Sequence, residues 1–192
     1  MSAPLPLPPR ASDGSYSFVA AMAIDGDGSP RVYGPAGTDP LDYLKNAGEP
    51  GNWYGVVTEE GEPVVQGPLD PCPGYYVSAT SYFHRGHKRT DPLAYVDSEK
   101  VIYIVLPSHW RKEAKGIVLG CKAEVRDIKN GKNTLAVVAD FGPKAKCGEA
   151  SIACAQFFGV PSSPKNGGTD AKRFRYTFWP GVAAAGFELQ PM

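Results

Sequence analysis

The chain of 192 residues predicts a mainly β, single-domain, barrel-like fold. Three observations carry that expectation. Its 22 glycines and 19 prolines are spread from end to end, which fits many short strands joined by turns. Apolar or alternating runs recur between those turn signals, and a single segment reads as a confident helix. No repeat or linker divides the chain, and its length suffices to bury a sizeable core.

The elements follow in order. Residues 1–14, MSAPLPLPPRASDG, are Pro-rich and read as a flexible lead-in to one domain over 15–192. This opening lacks the long apolar core of a signal peptide. SYSFVAAMAIDGDGSP, from Ser15 to Pro30, is a strand running into an acidic turn. IDGDG resembles the start of a calcium loop but lacks the later ligands. NWYGVVTEEGEPVVQG makes a hairpin around Glu60-Gly61. PCPGYYVSATSYF is β-rich, and FHRGHKRTDP is a basic loop in which His84 and His87 lack a third ligand for a metal. VIYIVLP is apolar without alternation, as expected of a central strand buried on both faces. His109, before Trp110, is read as structural. Two more strands flank the turn at Lys129-Asn130-Gly131. SIACAQFFG is the helix, stopped by Gly159 and Pro161. KRFRYTFWPG, Lys172 to Gly181, is the last strand. Cys72, Cys121, Cys147 and Cys154 contain no CxxC pair, which argues against a zinc ribbon, while bridged and free thiols both stay open.

Net charge is zero, which favours neither nucleic acid nor a membrane surface, and no transmembrane span is present. Residues 1–70 hold ten acids against three bases, and residues 71–192 hold ten acids against seventeen bases. Folding brings these halves together, either to neutralise each other or to line a groove with one acidic and one basic wall.

The chemistry concentrates in VVADFGPKAKCGEASIACAQ, Val137 to Gln156. LAVVA reads as a buried strand that Phe141, Gly142 and Pro143 break, leaving Asp140 at its rim. Glu149 reads as a first-turn residue of the helix. Two carboxylates so placed suit acid/base work on a glycosidic bond. Inversion needs one to protonate the leaving oxygen and the other to activate water, about 6.5–9.5 Å away. Burial against Phe141 and the strand would raise the Asp140 pKa, and a helix N-terminus would keep Glu149 charged, so Asp140 is read as the acid and Glu149 as the base. No GxSxG, Walker or Rossmann motif appears, and Cys147 has no placed His base.

Six segments in consistent order, AMAIDGDG, PGYYVSATS, YVDSEKVIYIVLP, LAVVADFGP, GEASIACAQFFGV, and SPKNGG with YTFWPG, resemble the chitosanases of glycoside hydrolase family 75 over residues 17–181. The resemblance implies a six-stranded double-psi-like barrel, endo-acting hydrolysis of a β-1,4-linked amino sugar polymer with inversion, and extracellular action. It maps the essential pair onto Asp140 and Glu149. Asp25, Asp27, Tyr76, Ser78 and Asp97 lie in matching segments and are expected to contact substrate or position the pair. No metal or organic cofactor is implied, and the chain is read as a monomer acting on polysaccharide. Lys144, Lys146 and the basic loop sit awkwardly with cationic chitosan, so peptidoglycan is the alternative polymer. A lytic transglycosylase on the same barrel and a non-catalytic carbohydrate-binding protein complete the expectations.

Overall fold

Alternation along the long strands decides what faces inward. The computed structural model describes residues 2–191. In chain order it contains β1 (Tyr16–Asp25), a 3-10 turn (Leu44–Asn46), β2 (Gly48–Glu49), β3 (Asn52–Trp53), β4 (Thr58–Glu59), β5 (Glu62–Pro63) and a second 3-10 turn (Pro92–Ala94). These are followed by β6 (Tyr103–Pro107), α1 (Trp110–Glu113), β7 (Cys121–Asp127), β8 (Asn133–Gly142), β9 (Glu149–Ser151), α2 (Ile152–Phe158) and β10 (Thr169–Ala183). Six strands close into a barrel in the order β1-β10-β7-β8-β6-β9, while β2-β3 and β4-β5 form two small separate ribbons. The β1–β9 and β6–β8 pairs are parallel and the other four are antiparallel. The mainly β barrel expected from the sequence is therefore the fold.

On β7, Cys121, Ala123 and Val125 are buried, and Lys122, Glu124 and Arg126 between them face outward. Their register partners on β10, Tyr176 and Phe178, share the inner face and are also buried. Met22, Ile104, Leu106, Val138, Ala150 and Phe174 complete this interior, and Trp110 from α1 joins it. Trp110 stacks on Phe178 at 6.1 Å, and Phe178 on Tyr16 at 5.6 Å. Such pairs contribute roughly 0.5–1.5 kcal/mol each beyond the area they bury. β6 is buried along its whole length. Ile104 and Leu106 point into the barrel. Tyr103 and Val105 pack outward with Tyr82, Val96, Val137 and Ala139 under the long excursion between β1 and β6. This double burial is why YIVLP shows no alternation.

Several expectations change in detail. Phe141 and Gly142 do not break β8 but continue it, opposite Leu106 and Pro107; the strand ends at Pro143, which has no N–H to extend the ladder. Glu149 opens β9 and is not in a helix. The helix begins at Ile152, because Ser151 accepts a hydrogen bond from Cys154 N and caps it there; Gly159, at φ 69°, ends it. PCPGYYVSATSYF forms only isolated bridges, such as Val65 with Tyr76 and Val56 with Ser78. The lead-in was expected to be flexible. Instead Leu5 N–H donates to Lys144 O at 2.9 Å, and Leu5 O accepts from Trp110 Nε1 at 2.9 Å and contacts His109 Nε2 at 2.7 Å. This anchors His109 in the structural role read for it. The tight turn at Glu60 (φ 51°) and Gly61 (φ 88°) joins β4 to β5 as expected. All four cysteines are free, and Cys121 and Cys154 are buried.

Candidate active site

Register places the two carboxylates. Asp140 on β8 lies opposite Val105 on β6, and Val105 lies opposite Glu149 on β9. Register partners share a face, so both carboxylates flank Val105 on the outer side of the barrel. Their backbones stand two strand spacings apart, about 9.5 Å. Glu149 lies opposite Ala23 on β1, with Asp25 two residues further along the same face.

A β-bulge aims Asp140. Tyr103 and Ile104 pair with Val137 and Val138, but Val105 pairs with Asp140, so one extra residue, Ala139, is inserted into β8. Without it Asp140 would oppose Leu106 and point into the apolar interior. The bulge turns the carboxylate outward, a use of bulges common beside active sites.

Asp140 is buried at 8% exposure. Its Oδ1 accepts from Ser81 Oγ, from Ser81 N at 3.1 Å and from Phe141 N at 2.7 Å. Burial raises its pKa to about 6; the Ser81 and Phe141 donors oppose that rise, and the Glu149 charge adds to it. Glu149 is ion-paired through Oε1 to Lys146 Nζ at 2.5 Å. A side chain at Gly142 would stand 3.3 Å from Glu149 Oε2, so the glycine leaves that oxygen clear.

Asp25 and Asp27 form the next layer. Asp25 Oδ1 accepts from Asp27 N at 2.9 Å, Tyr33 OH donates to Asp27 Oδ1 at 2.7 Å, and Tyr103 OH donates to Asp27 O at 2.9 Å. Burial raises the pKa of both carboxyls well above the ordinary range. For Asp25 the Asp140 charge adds to this, and for Asp27 the Asp25 charge does. These groups open onto a cleft of about 1210 Å³. That exceeds the roughly 300–1,000 Å³ of a pocket for a drug-sized ligand and suits several linked sugar rings. Asp25, Asp27 and Asp42 line it, as do the bases Arg89, Lys146 and Lys165. The two oppositely charged parts of the chain thus meet in a groove. Tyr54, Phe83, Tyr95 and Phe141 add aromatic surface to it.

The other sequence candidates lie elsewhere. Ser78 is buried and spends its hydroxyl on Gly28 N and Gly55 O, both at 3.0 Å, so it braces the excursion and does not meet substrate. Tyr76 packs beside Val32, Tyr33 and Val56. Asp97 accepts from Glu99 N at 3.0 Å and pairs with Lys100 at 2.8 Å in the turn before β6. All three are outside the cleft lining. Sequence reasoning missed Ser81, which closes the same PGYYVSATS segment and is the serine that reaches a carboxylate. It also missed Asp42 and Tyr33. Of the basic groups expected to oppose a cationic substrate, Lys146 and Arg89 of the basic loop line the cleft, and Lys144 and His84 do not. No family model matches the chain, and no curated protein matches it.

Proposed function

We propose that this protein is an endo-acting glycoside hydrolase that cleaves β-1,4 bonds of an amino sugar polymer of the chitosan type with inversion. The observation that carries the reading is the pair Asp140 and Glu149, held on one barrel face across a single intervening strand inside a long cleft. Protonated Asp140 gives its proton to the glycosidic oxygen as the C1–O bond breaks. Glu149 takes a proton from the water that attacks C1 from the opposite face. Two strand spacings, about 9.5 Å between the backbones, fit the separation that an intervening water requires. The buried site keeps Asp140 protonated near pH 6, as a general acid needs. The motif resemblance to glycoside hydrolase family 75 supports the same two residues.

The test measures new reducing ends from chitosan and from purified peptidoglycan, with the anomer of the product followed by NMR. Wild type is expected to cleave chitosan and release the inverted anomer. Asp140→Asn and Glu149→Gln should each lower kcat by about 10²–10⁴-fold. Retention of configuration, or full activity in either variant, would sink the mechanism. Cleavage of peptidoglycan alone would keep the pair and change the substrate. Binding without cleavage of either polymer would make the protein a carbohydrate-binding module.

A further inference from the structure

Lys146 stands 2.5 Å from Glu149 Oε1 inside the cleft, on a loop whose backbone is well tied. Its loop, residues 143–148, is tied at several points. Lys146 N–H donates to Pro143 O at 3.2 Å, Lys144 O accepts from Leu5 N at 2.9 Å, and Gly148 O accepts from Ala23 N at 2.8 Å. Gly148 has φ 85°, and a side chain there would meet Ala20 Cβ and Ala21 O at 2.7 Å. The loop can pass so close to β1 only with glycine at this position. The loop therefore fixes the Lys146 backbone, and the ion pair with Glu149 holds its half-exposed ammonium in the cleft.

Lys165, also in the cleft lining, is engaged differently. Its Nζ donates to Pro40 O at 2.6 Å and lies 5.5 Å from the Tyr43 ring centroid. The carboxyls away from Lys146 keep acceptor capacity. Asp25 spends Oδ1 on Asp27 N, and Asp42 spends Oδ1 on Tyr43 N at 2.7 Å and Asn46 Nδ2 at 2.9 Å. Beside Glu149 the cleft thus already holds an ammonium donor, and elsewhere it can accept hydrogen bonds from one.

Resting on the hydrolase reading above, we propose that Lys146 sets acetylation preference: the sugar seated beside Glu149 carries a neutral N-acetyl group, and the sugar seated toward Asp25 and Asp42 carries a free amine. A protonated amine at carbon 2 beside Lys146 meets a like charge, whereas an acetamido carbonyl accepts a hydrogen bond from Nζ. The substrate is then a partially acetylated glucosamine polymer, cut at bonds joining an acetylated to a deacetylated unit.

The experiment compares cleavage of fully deacetylated and half-acetylated polymer by wild type, Lys146→Met and Lys146→Arg, with the new chain ends identified by mass spectrometry. The ratio of the two rates is the readout, because any change in Glu149 as a base affects both substrates alike. Wild type should favour half-acetylated polymer and leave an acetylated unit at one new end. Lys146→Met should shift the ratio toward deacetylated polymer by about tenfold, and Lys146→Arg, which keeps the charge, should preserve it. An unchanged ratio and unchanged ends in Lys146→Met would overturn the role of Lys146 while leaving the hydrolase standing. Failure of wild type to cleave either polymer would overturn the hydrolase reading and this inference with it.

Discussion

Asp140 carries the pH behaviour expected of the site. Its folded pKa of about 6 lies above the ordinary 3.8, because burial disfavours the carboxylate. As the proton donor it works only while protonated, so kcat/KM should fall as pH rises through about 6. The same shift bears on stability. The folded chain holds this proton more tightly than the unfolded chain, so the contribution is complete below about pH 4 and is lost as pH passes about 6. Asp140→Asn should therefore stabilise the protein relative to wild type at pH 7.5 and not at pH 4, by on the order of 3 kcal/mol at most, read as a higher Tm. Equal Tm differences at both pH values would contradict the buried, proton-holding carboxyl. Ser81 tunes this group, since its donors oppose the upward shift. Ser81→Ala removes the hydroxyl donor and should move the falling limb of the pH profile upward. A merely structural serine would lower stability and leave that limb in place. Here the sequence was half legible. The segment was identified and Ser78 was chosen, but only the chain path decides that Ser81 faces Asp140.

Two local devices hold the pair. The bulge at Ala139 turns Asp140 out of the barrel, and the tied loop ending at Gly148 delivers Glu149 to β9. The helix was legible because its signals are local: an alanine-rich run, with Gly159 and Pro161 as stop. The strand at Glu149–Ser151 was not. Three residues carry too little pattern, and their pairing partners, β1 and β6, are far away in sequence. The helix-dipole argument for Glu149 falls with that reassignment; the side chain is ion-paired to Lys146. Gly148→Ala should destabilise the protein by about 1–3 kcal/mol, read as a lower urea midpoint, because the new methyl meets β1 and the backbone is held at positive φ. An unchanged midpoint would show that the loop is free to move.

Across the whole molecule, the lead-in is part of the fold. Leu5 O is the acceptor for the indole of Trp110, which is 1% exposed and stacks in the core. Deleting residues 2–8 leaves that buried donor without its partner, at a cost of about 1–3 kcal/mol. The expected result is a fall in Tm of about 2–8 °C together with a change in Trp110 fluorescence. A deletion variant with wild-type Tm and emission would mean that the segment only rests on the surface. Composition misled here: its prolines suit an extended, loosely held chain, yet an extended segment is also the form that lays its carbonyls along a surface. The division of charge was legible in the sequence, but the sequence left open whether the halves cancel or face each other across a groove. Asp25, Asp27 and Asp42 meet Lys146 and Lys165 in one cleft because the excursion between β1 and β6 folds back over the barrel's outer face.

The sequence by itself determined the fold class, the central strand, the helix and its stop, the hairpin turns and the two carboxylates singled out for chemistry. Each of these rests on spacing or turn chemistry within a few residues. The tertiary structure alone decided that Asp140 and Glu149 share a face, that Ser81 and Lys146 are their partners, and that Tyr76, Ser78 and Asp97 stand apart. Those outcomes depend on strand register, one bulge and the path of a long excursion. All three are fixed by contacts between residues distant in sequence, where a local pattern carries no information.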